Sequence, residues 1–408
     1  MTLATSFGAF GCFAIQGVLL ARMLGVEQRG VFATAILFPQ ALLYLGLLGS
    51  PELYAGYATE GMDNSSLRRS AARYGLFSGV LSMLICIVLD ILTIPEDTRE
   101  VLPLAILCAA TLPLQQIRLS VQAVDHGQRN FRRYNQVRLA AAAAFPIILC
   151  IGIALGYRDL QTACWMFFAA QLISLLLTQF GMNESWKGEC NPPISKALRE
   201  AKGLVGAWFS TELLEKLDLV LIMLLIATPE TMGLYATAIP IASLMIIFPN
   251  AASLYFFNRG ARQHERLSPR DAQRAIAAGI GLQCVSGAAL AVCLPVLITL
   301  FYGEDFSGTV QFAWLLLPAG AFRGLLQACD SYLRARKKPF VGIWSRLLGV
   351  LILVLFSTLT LGSLGATAIP IGLSIAQFVC FVIVSIAVVL DTYRTNRPQI
   401  QKRPAVAS

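Results

Sequence analysis

The sequence predicts an all-α polytopic membrane protein of about 12 transmembrane helices, arranged as two parallel six-helix repeats around a central cavity. Three observations lead there: the composition, the placement of the basic residues, and an internal similarity at a nearly constant offset. Of 408 residues, 56% are hydrophobic and 13% are charged, about half the charge density of an ordinary globular chain. The mean hydropathy is +0.67. Such a balance excludes a soluble enzyme. A helical span takes roughly 20 apolar residues, so twelve would use about 240. What remains makes short connections, with no room for a folded extramembrane domain.

Apolar runs broken by polar clusters place the spans near 3–21, 31–49, 71–94, 101–122, 137–156 and 160–181, then near 203–227, 233–255, 275–301, 309–333, 341–361 and 366–390. No basic region precedes the first run and no clear cleavage signal follows it, so it is expected to be a retained span. The ten cysteines form no C-x-x-C pair. Those in apolar runs, such as Cys86, Cys108, Cys150 and Cys284, are read as small buried hydrophobes. His126 and His264 are expected in basic loops, and neither a cofactor nor a metal is expected.

The basic residues set the orientation. Alternate connections carry Arg68, Arg69 and Arg73; Arg118, Arg129, Arg132, Arg133 and Arg138; Lys187, Lys196, Arg199 and Lys202; Arg259, Arg262, Arg266, Arg270 and Arg274; Arg334, Arg336, Lys337, Lys338 and Arg346; and finally Arg394, Arg397, Lys402 and Arg403. The opposite side has only Arg22, Arg29, Arg99 and Arg158. By the positive-inside rule both termini are expected in the cytoplasm. The surplus of nine positive charges therefore reports topology, and no nucleic-acid partner is inferred from it.

The repeat supplies the architecture. Gly30-Val31-Phe32-Ala33-Thr34-Ala35-Ile36 returns as Gly233-Leu234-Tyr235-Ala236-Thr237-Ala238-Ile239, a shift of 203. Leu112, Pro113, Arg118, Gln122, Ala123, Asp125 and Arg129 match Leu317, Pro318, Arg323, Gln327, Ala328, Asp330 and Arg334, a shift of 205. Six spans separate each pair. Six is even, so the halves point the same way through the membrane, related by an axis along its normal. The expected domains are an N-terminal six-helix lobe, 1–200, and a C-terminal six-helix lobe with a cytoplasmic tail, 201–408.

The motif Ala21-Arg22-Met23-Leu24-Gly25 followed by Gly30, the turn Pro229 to Gly233 opening into Leu234-Tyr235, the Leu-Phe-Tyr-Gly run at 300–303, and Tyr332-Leu333-Arg334-Ala335 ahead of Lys337, Lys338 and Pro339 resemble the polysaccharide transporters. These are the Wzx-type oligosaccharide flippases of the multidrug/oligosaccharidyl-lipid/polysaccharide exporter superfamily. The resemblance implies two six-helix lobes that move a polyprenyl-pyrophosphate-linked oligosaccharide from the cytoplasmic to the periplasmic leaflet of the bacterial inner membrane. It also implies membrane lipids as surroundings, coupling to protons or sodium, and polymerase or assembly proteins as partners.

Charges inside the spans are the candidate functional residues. Glu212, Glu215, Lys216 and Asp218 cluster in the seventh span. Glu212 lies about 14 Å past Gly203 at helical rise, where a charge facing lipid costs roughly 2.5–3.5 kcal/mol. Glu212 and Lys216 have the i, i+4 spacing that favours an ion pair, while Glu215 and Asp218 at i, i+3 would repel. Two readings stand open, an ion-coupling site and a structural ion-pair network. Arg118 and Arg323 hold equivalent places five residues after a proline, each with a glutamine, Gln122 and Gln327, one turn on. Two planar guanidinium forks facing each other across the pseudo-twofold axis suit a pyrophosphate, and snorkelling to the cytoplasmic surface is the alternative. Arg22 and Arg29 are placed to meet the headgroup after flipping, or to form a solvated or lipid-phosphate-binding turn. Pro39, Pro146, Pro240, Pro249, Pro295 and Pro370 mark candidate bends.

Two further functions are weighed. A cation-coupled multidrug exporter of the same superfamily would use the acidic seventh span as its binding site. A membrane-embedded glycosyltransferase or ligase would need a metal-binding Asp-x-Asp or a sizeable loop, and the sequence has neither.

Overall fold

The computed structural model describes residues 2–94, 96–179, 190–226, 228–247, 249, 252, 253, 256 and 268–396. Lys187, Arg259, Arg262, Arg266, Arg397, Lys402, Arg403 and His264 lie outside the described residues. Within them the chain is built from helices, with no strand among the described residues. The first, α1 (Thr2–Leu47), breaks at Gly25, whose φ of 71° and ψ of 179° lie where a side chain is strained and glycine is not. The break divides it into the first two predicted spans. Ser6 of the first arm accepts from Arg138 at 3.1 Å, and the Leu47 carbonyl ending the second arm accepts from Tyr74 at 3.3 Å. Both partners lie near the basic end of their own helices, so the two arms run antiparallel.

The N-terminal half continues through α2 (Ser50–Thr59), α3 (Asn64–Thr93), α4 (Leu102–Ala109), α5 (Thr111–Gly127), α6 (Phe131–Ala154) and α7 (Leu160–Gln179). The C-terminal half contains α8 (Ile194–Leu225), α9 (Pro229–Ala242), α10 (Pro269–Phe301), α11 (Thr309–Ala335), α12 (Phe340–Leu364) and α13 (Ala368–Asn396). Eight described segments are long and apolar enough to cross a membrane, and two of these, Thr5–Thr59 and Phe340–Tyr393, are double. Counting each double segment twice and adding α8 and α9 gives the twelve expected spans. α8 carries four charges, Glu212, Glu215, Lys216 and Asp218, within its apolar stretch, and α9 spans 14 residues among those described.

Helix ends differ from the apolar limits in a regular way. α3 and α10 start at 64 and 269, ahead of the predicted 71 and 275 and one repeat apart. Each start is capped: Asp63 accepts from the Ser66 amide at 2.9 Å, and Ser268 accepts from the Asp271 amide at 3.1 Å. Hydropathy marks what lipid surrounds, and hydrogen bonding carries the helix past it. The short α2 was not predicted. It lies where a loop was expected and buries Tyr54 and Tyr57 beside Tyr74, Val124 and Ala197. Pro39, Pro146, Pro240 and Pro295 all stand inside continuous helices.

Three packed regions position the site. Leu20, Phe32, Phe145 and Phe167 form the core of the N-terminal half. A second core, centred on Tyr235, Leu317, Leu326 and Val384, holds the C-terminal half and reaches across to Ala33, Leu37 and Leu112. Between the halves, Gly30 and Gly233 let two backbones meet: a Cβ at Gly30 would overlap the Pro229 carbonyl, and one at Gly233 would overlap the Val26 carbonyl. These are the first residues of the two repeat motifs, now seen as symmetry partners in contact. Outward-facing side chains such as Val285, Val292, Val296 and Leu300 leave one stripe of α10 exposed, as a lipid-facing helix requires. Cys86 and Cys108 are buried as expected, but Cys150 and Cys284 are exposed on such outer faces.

At the basic end, one buried aspartate in each half holds the connections. Asp125 binds Arg68 at 2.5 Å and Arg133 at 3.4 Å. Its repeat equivalent Asp330 binds Arg334 at 2.8 Å and Arg346 at 2.9 Å. A third aspartate, Asp391, binds Lys338 at 2.5 Å and Arg336 at 3.2 Å.

Candidate functional site: a basic cavity between the halves

A cavity of about 1480 Å³ runs between the two halves. α1, α5, α6, α8, α9 and α10 contribute most of its wall. At the basic end it reaches the exposed Glu52, and at the other end it stops at the buried Arg29 below the Gly30–Gly233 crossing. Its polar lining includes Gln40, Gln115, Gln122, Gln171 and Tyr134, and the stacked rings of Tyr44 and Trp208, with centroids 6.0 Å apart, join the halves across it.

Arg118 and Arg323 both line this cavity, so the sequence-equivalent arginines do face one space. Their partners differ. Arg323 forms an ion pair with Glu215 of α8. The Nε of each arginine is buried without an acceptor, but no carboxylate lies within ion-pair distance of Arg118 among the described residues. The reason is local: the first arm of α1 occupies the place of α8 in the N-terminal half, and residues 2–21 carry no charge. Gln122 lines the cavity one turn from Arg118, with its amide nitrogen donating to the Tyr134 carbonyl at 3.1 Å. Gln327 does not share this arrangement. It is exposed and lines a smaller polar chamber of about 260 Å³ inside the C-terminal half.

The acidic cluster of α8 is divided among three environments. Glu215 and Lys216 face the central cavity. Glu212 is buried in the smaller chamber with its Oε2 unpartnered, so the expected Glu212–Lys216 ion pair does not form. A helix places i and i+4 on one face, but these two side chains lean into different spaces on either side of Arg323. Asp218 lines neither space. It is 3% exposed and accepts from the Tyr235 hydroxyl at 2.7 Å.

Arg22 lies outside the cavity. Its Nε and Nη2 donate to the carbonyls of Phe301 and Leu300, each at 2.7 Å, capping the C-terminal turn of α10 in the other half. Sequence reasoning placed His126 in a loop. It is in the last turn of α5, beside Tyr134 and lining the cavity. Glu52 and Arg138, which are not candidates by sequence, also line the cavity. Glu52 lay in an expected loop, and Arg138 counted only as a topology marker.

A two-repeat bundle of membrane-crossing helices enclosing a charged cavity between its halves defines a multi-pass membrane transporter. The polysaccharide biosynthesis protein family model matches residues 3–255, and the chain belongs to that family. Among solved structures, the lipid II flippase MurJ in an inward closed conformation is similar at a TM-score of 0.76 and 12% identity, with 96% of this chain and 89% of that one covered. A multidrug resistance MATE family transporter of the MOP superfamily in its inward-facing conformation reaches a TM-score of 0.72 at 12% identity, over 95% of both chains. An outward-facing conformation of such a transporter reaches 0.66 at 14% identity, over 97% of this chain and 96% of that one. No curated protein matches the sequence significantly.

Proposed function

We propose that this protein flips a polyprenyl-pyrophosphate-linked oligosaccharide from the cytoplasmic to the periplasmic leaflet of the bacterial inner membrane for cell-surface polysaccharide synthesis. Its halves, 1–200 and 201–408, rock about the cavity by alternating access, and both termini are cytoplasmic. One observation carries the reading. Two repeat-equivalent arginines, Arg118 and Arg323, face the same cavity, and Arg118 has a buried, unpartnered Nε and no counter-charge among the described residues. An anion between them completes the hydrogen bonds of one fork and competes with Glu215 for the other.

That competition supports ion coupling. When phosphate takes Arg323, Glu215 is released into the cavity, where a proton or sodium ion compensates it; Lys216 is its neighbour there. Glu212 and Asp218, both buried, are assigned to the same proton or sodium path through the C-terminal half. The multidrug-exporter reading is less well supported, because Asp218 lies outside the cavity and Glu215 is already paired. No chemical step on the substrate is assigned.

The test is transbilayer movement of defined lipid-linked sugars in proteoliposomes, with pH and sodium gradients imposed separately. Movement accelerated by one gradient and slowed in Arg118→Gln is expected. An intact, correctly folded protein that moves no such lipid under either gradient overturns the reading.

A further inference from the structure

Arg29 stands at the closed end of the cavity under conditions that no other described feature relieves. It is 7% exposed and lines the cavity. Its Nε and Nη1 are buried and meet no acceptor, and no carboxylate lies within ion-pair distance among the described residues. Its guanidinium carbon rests 5.8 Å from the centre of the Phe32 ring. A ring face returns less than the loss of water costs an unpaired cation. The contrast with Arg22, seven residues earlier, is instructive, since that fork is filled by the Leu300 and Phe301 carbonyls.

The position of Arg29 gives this open valence a purpose. Its chain neighbour is Gly30, whose backbone is wedged against Pro229 and Gly233 of the other half. A group bound at Arg29 therefore sits directly under the contact that closes this end of the cavity. Arg118 and Arg323 belong to the fourth helix of each repeat. Arg29 belongs to the second, at the end away from the basic connections.

We infer that Arg29 is a second phosphate-binding site, separate from the Arg118–Arg323 pair, which receives the substrate's diphosphate as the Gly30–Gly233 contact parts. The inference rests on the flippase reading and extends it to two successive anion stations along the cavity. The diphosphate leaves a partly shared site for a guanidinium with free donors. Filling those donors removes the cost of the buried cation, and the bulk of the anion opposes closure of the two glycines.

The experiment uses the full chain in zwitterionic nanodiscs, with inorganic pyrophosphate as the probe and both melting temperature and binding as readouts. Without probe, Arg29→Gln is expected to melt at or above the wild-type temperature, because an unpaired buried charge has been removed. Arg118→Gln with Arg323→Gln should keep a saturable site roughly tenfold weaker than wild type, which addition of Arg29→Gln abolishes and Arg29→Lys partly retains. An Arg29→Gln protein that melts lower, together with unchanged pyrophosphate binding in the double-variant background, makes the residue structural and overturns the proposal. Repeating the titration with phosphatidylglycerol in the disc separates sources: binding unaffected by it supports a cavity-borne diphosphate. Competition assigns Arg29 to a lipid headgroup and overturns its place in substrate passage. Sugar-lipid translocation on the same samples keeps the two readings apart. Pyrophosphate bound at Arg29 without any wild-type translocation sinks the flippase reading alone, and normal translocation and binding in Arg29→Gln sinks this one alone.

Discussion

The two halves place the same residue at the same point and surround it differently. Arg118 and Arg323 follow a proline by five residues on equivalent helices, yet only Arg323 meets a carboxylate, Glu215. Asp125 and Asp330 likewise correspond, but Asp125 joins α3 to α6 through Arg68 and Arg133, whereas Asp330 joins α11 to α12 through Arg346. The helix itself differs too: α4 and α5 are separated at Ala110, ahead of Pro113, while α11 runs unbroken through Pro318. Duplication supplies matching frames, and the side chains that neighbouring helices bring decide what each frame does. One half keeps its arginine neutralised, and the other leaves it for a ligand.

Substitutions at the equivalent positions break this comparison, and the largest effect is expected at the aspartates. Asp330→Asn leaves Arg346, only 6% exposed, without its buried counter-charge, at a cost of about 3 kcal/mol or more. Asp125→Asn should cost less, because Arg68 and Arg133 are 11% and 20% exposed and regain water. Denaturant unfolding in mixed micelles reads both, and equal losses would mean that burial of the partner does not set the cost.

Next comes the unpaired arginine. Arg118→Gln is expected to slow translocation at low substrate by about 10- to 100-fold, the worth of one charge-assisted contact, while leaving the melting temperature near wild type. Glycine-to-alanine changes at the crossing should follow. Gly30→Ala and Gly233→Ala each force backbone apart at about 1–3 kcal/mol, with similar losses in thermal melting because the two contacts are symmetric.

A smaller effect is expected at the paired arginine. The double variant Arg323→Gln with Glu215→Gln should lose less stability than the sum of the two single variants, with a coupling of about 1 kcal/mol in a double-mutant cycle. Additive losses would remove the contrast with Arg118. The smallest effect lies outside the membrane. Asp63 accepts from the Ser66 amide and from the Ser65 hydroxyl, which lowers its carboxyl from an ordinary 3.8 to about 2. A depressed folded-state value stabilises above the ordinary range and fades as pH falls. The cap's small contribution should thus be complete above about pH 4, disappear towards pH 2, and be absent in Asp63→Ala.

Much of the fold was legible because the bilayer enforces it. Twelve apolar runs, alternating basic connections and two repeat motifs led to the helices observed. What composition could not reveal was polar and local. α2 is too short and too polar to register as a span, and its tyrosines find a core only beside α3 and α5. Of the candidate site, Arg118, Gln122, Arg323, Glu215 and Lys216 face the cavity. Arg22, Gln327, Glu212 and Asp218 face elsewhere. Residues four apart on one helix share a face, but an interior with two adjoining spaces can receive them separately. Arg29 carried the weakest signal of all, a basic residue on the side poor in them.

Low charge content and apolar runs of about twenty residues determined that this chain is a bundle of membrane helices, because lipid admits only backbones that satisfy their own hydrogen bonds and a barrel strand takes about half that length. The repeat determined that its halves are parallel. Which charges meet was decided only by the tertiary structure. An ion pair such as Glu215 with Arg323 joins residues 108 apart in sequence, and the absence of its counterpart at Arg118 depends on which helix packs alongside. Burial and the direction of a side chain are properties of that packing, and they set whether an arginine is a strut or an open hand for phosphate.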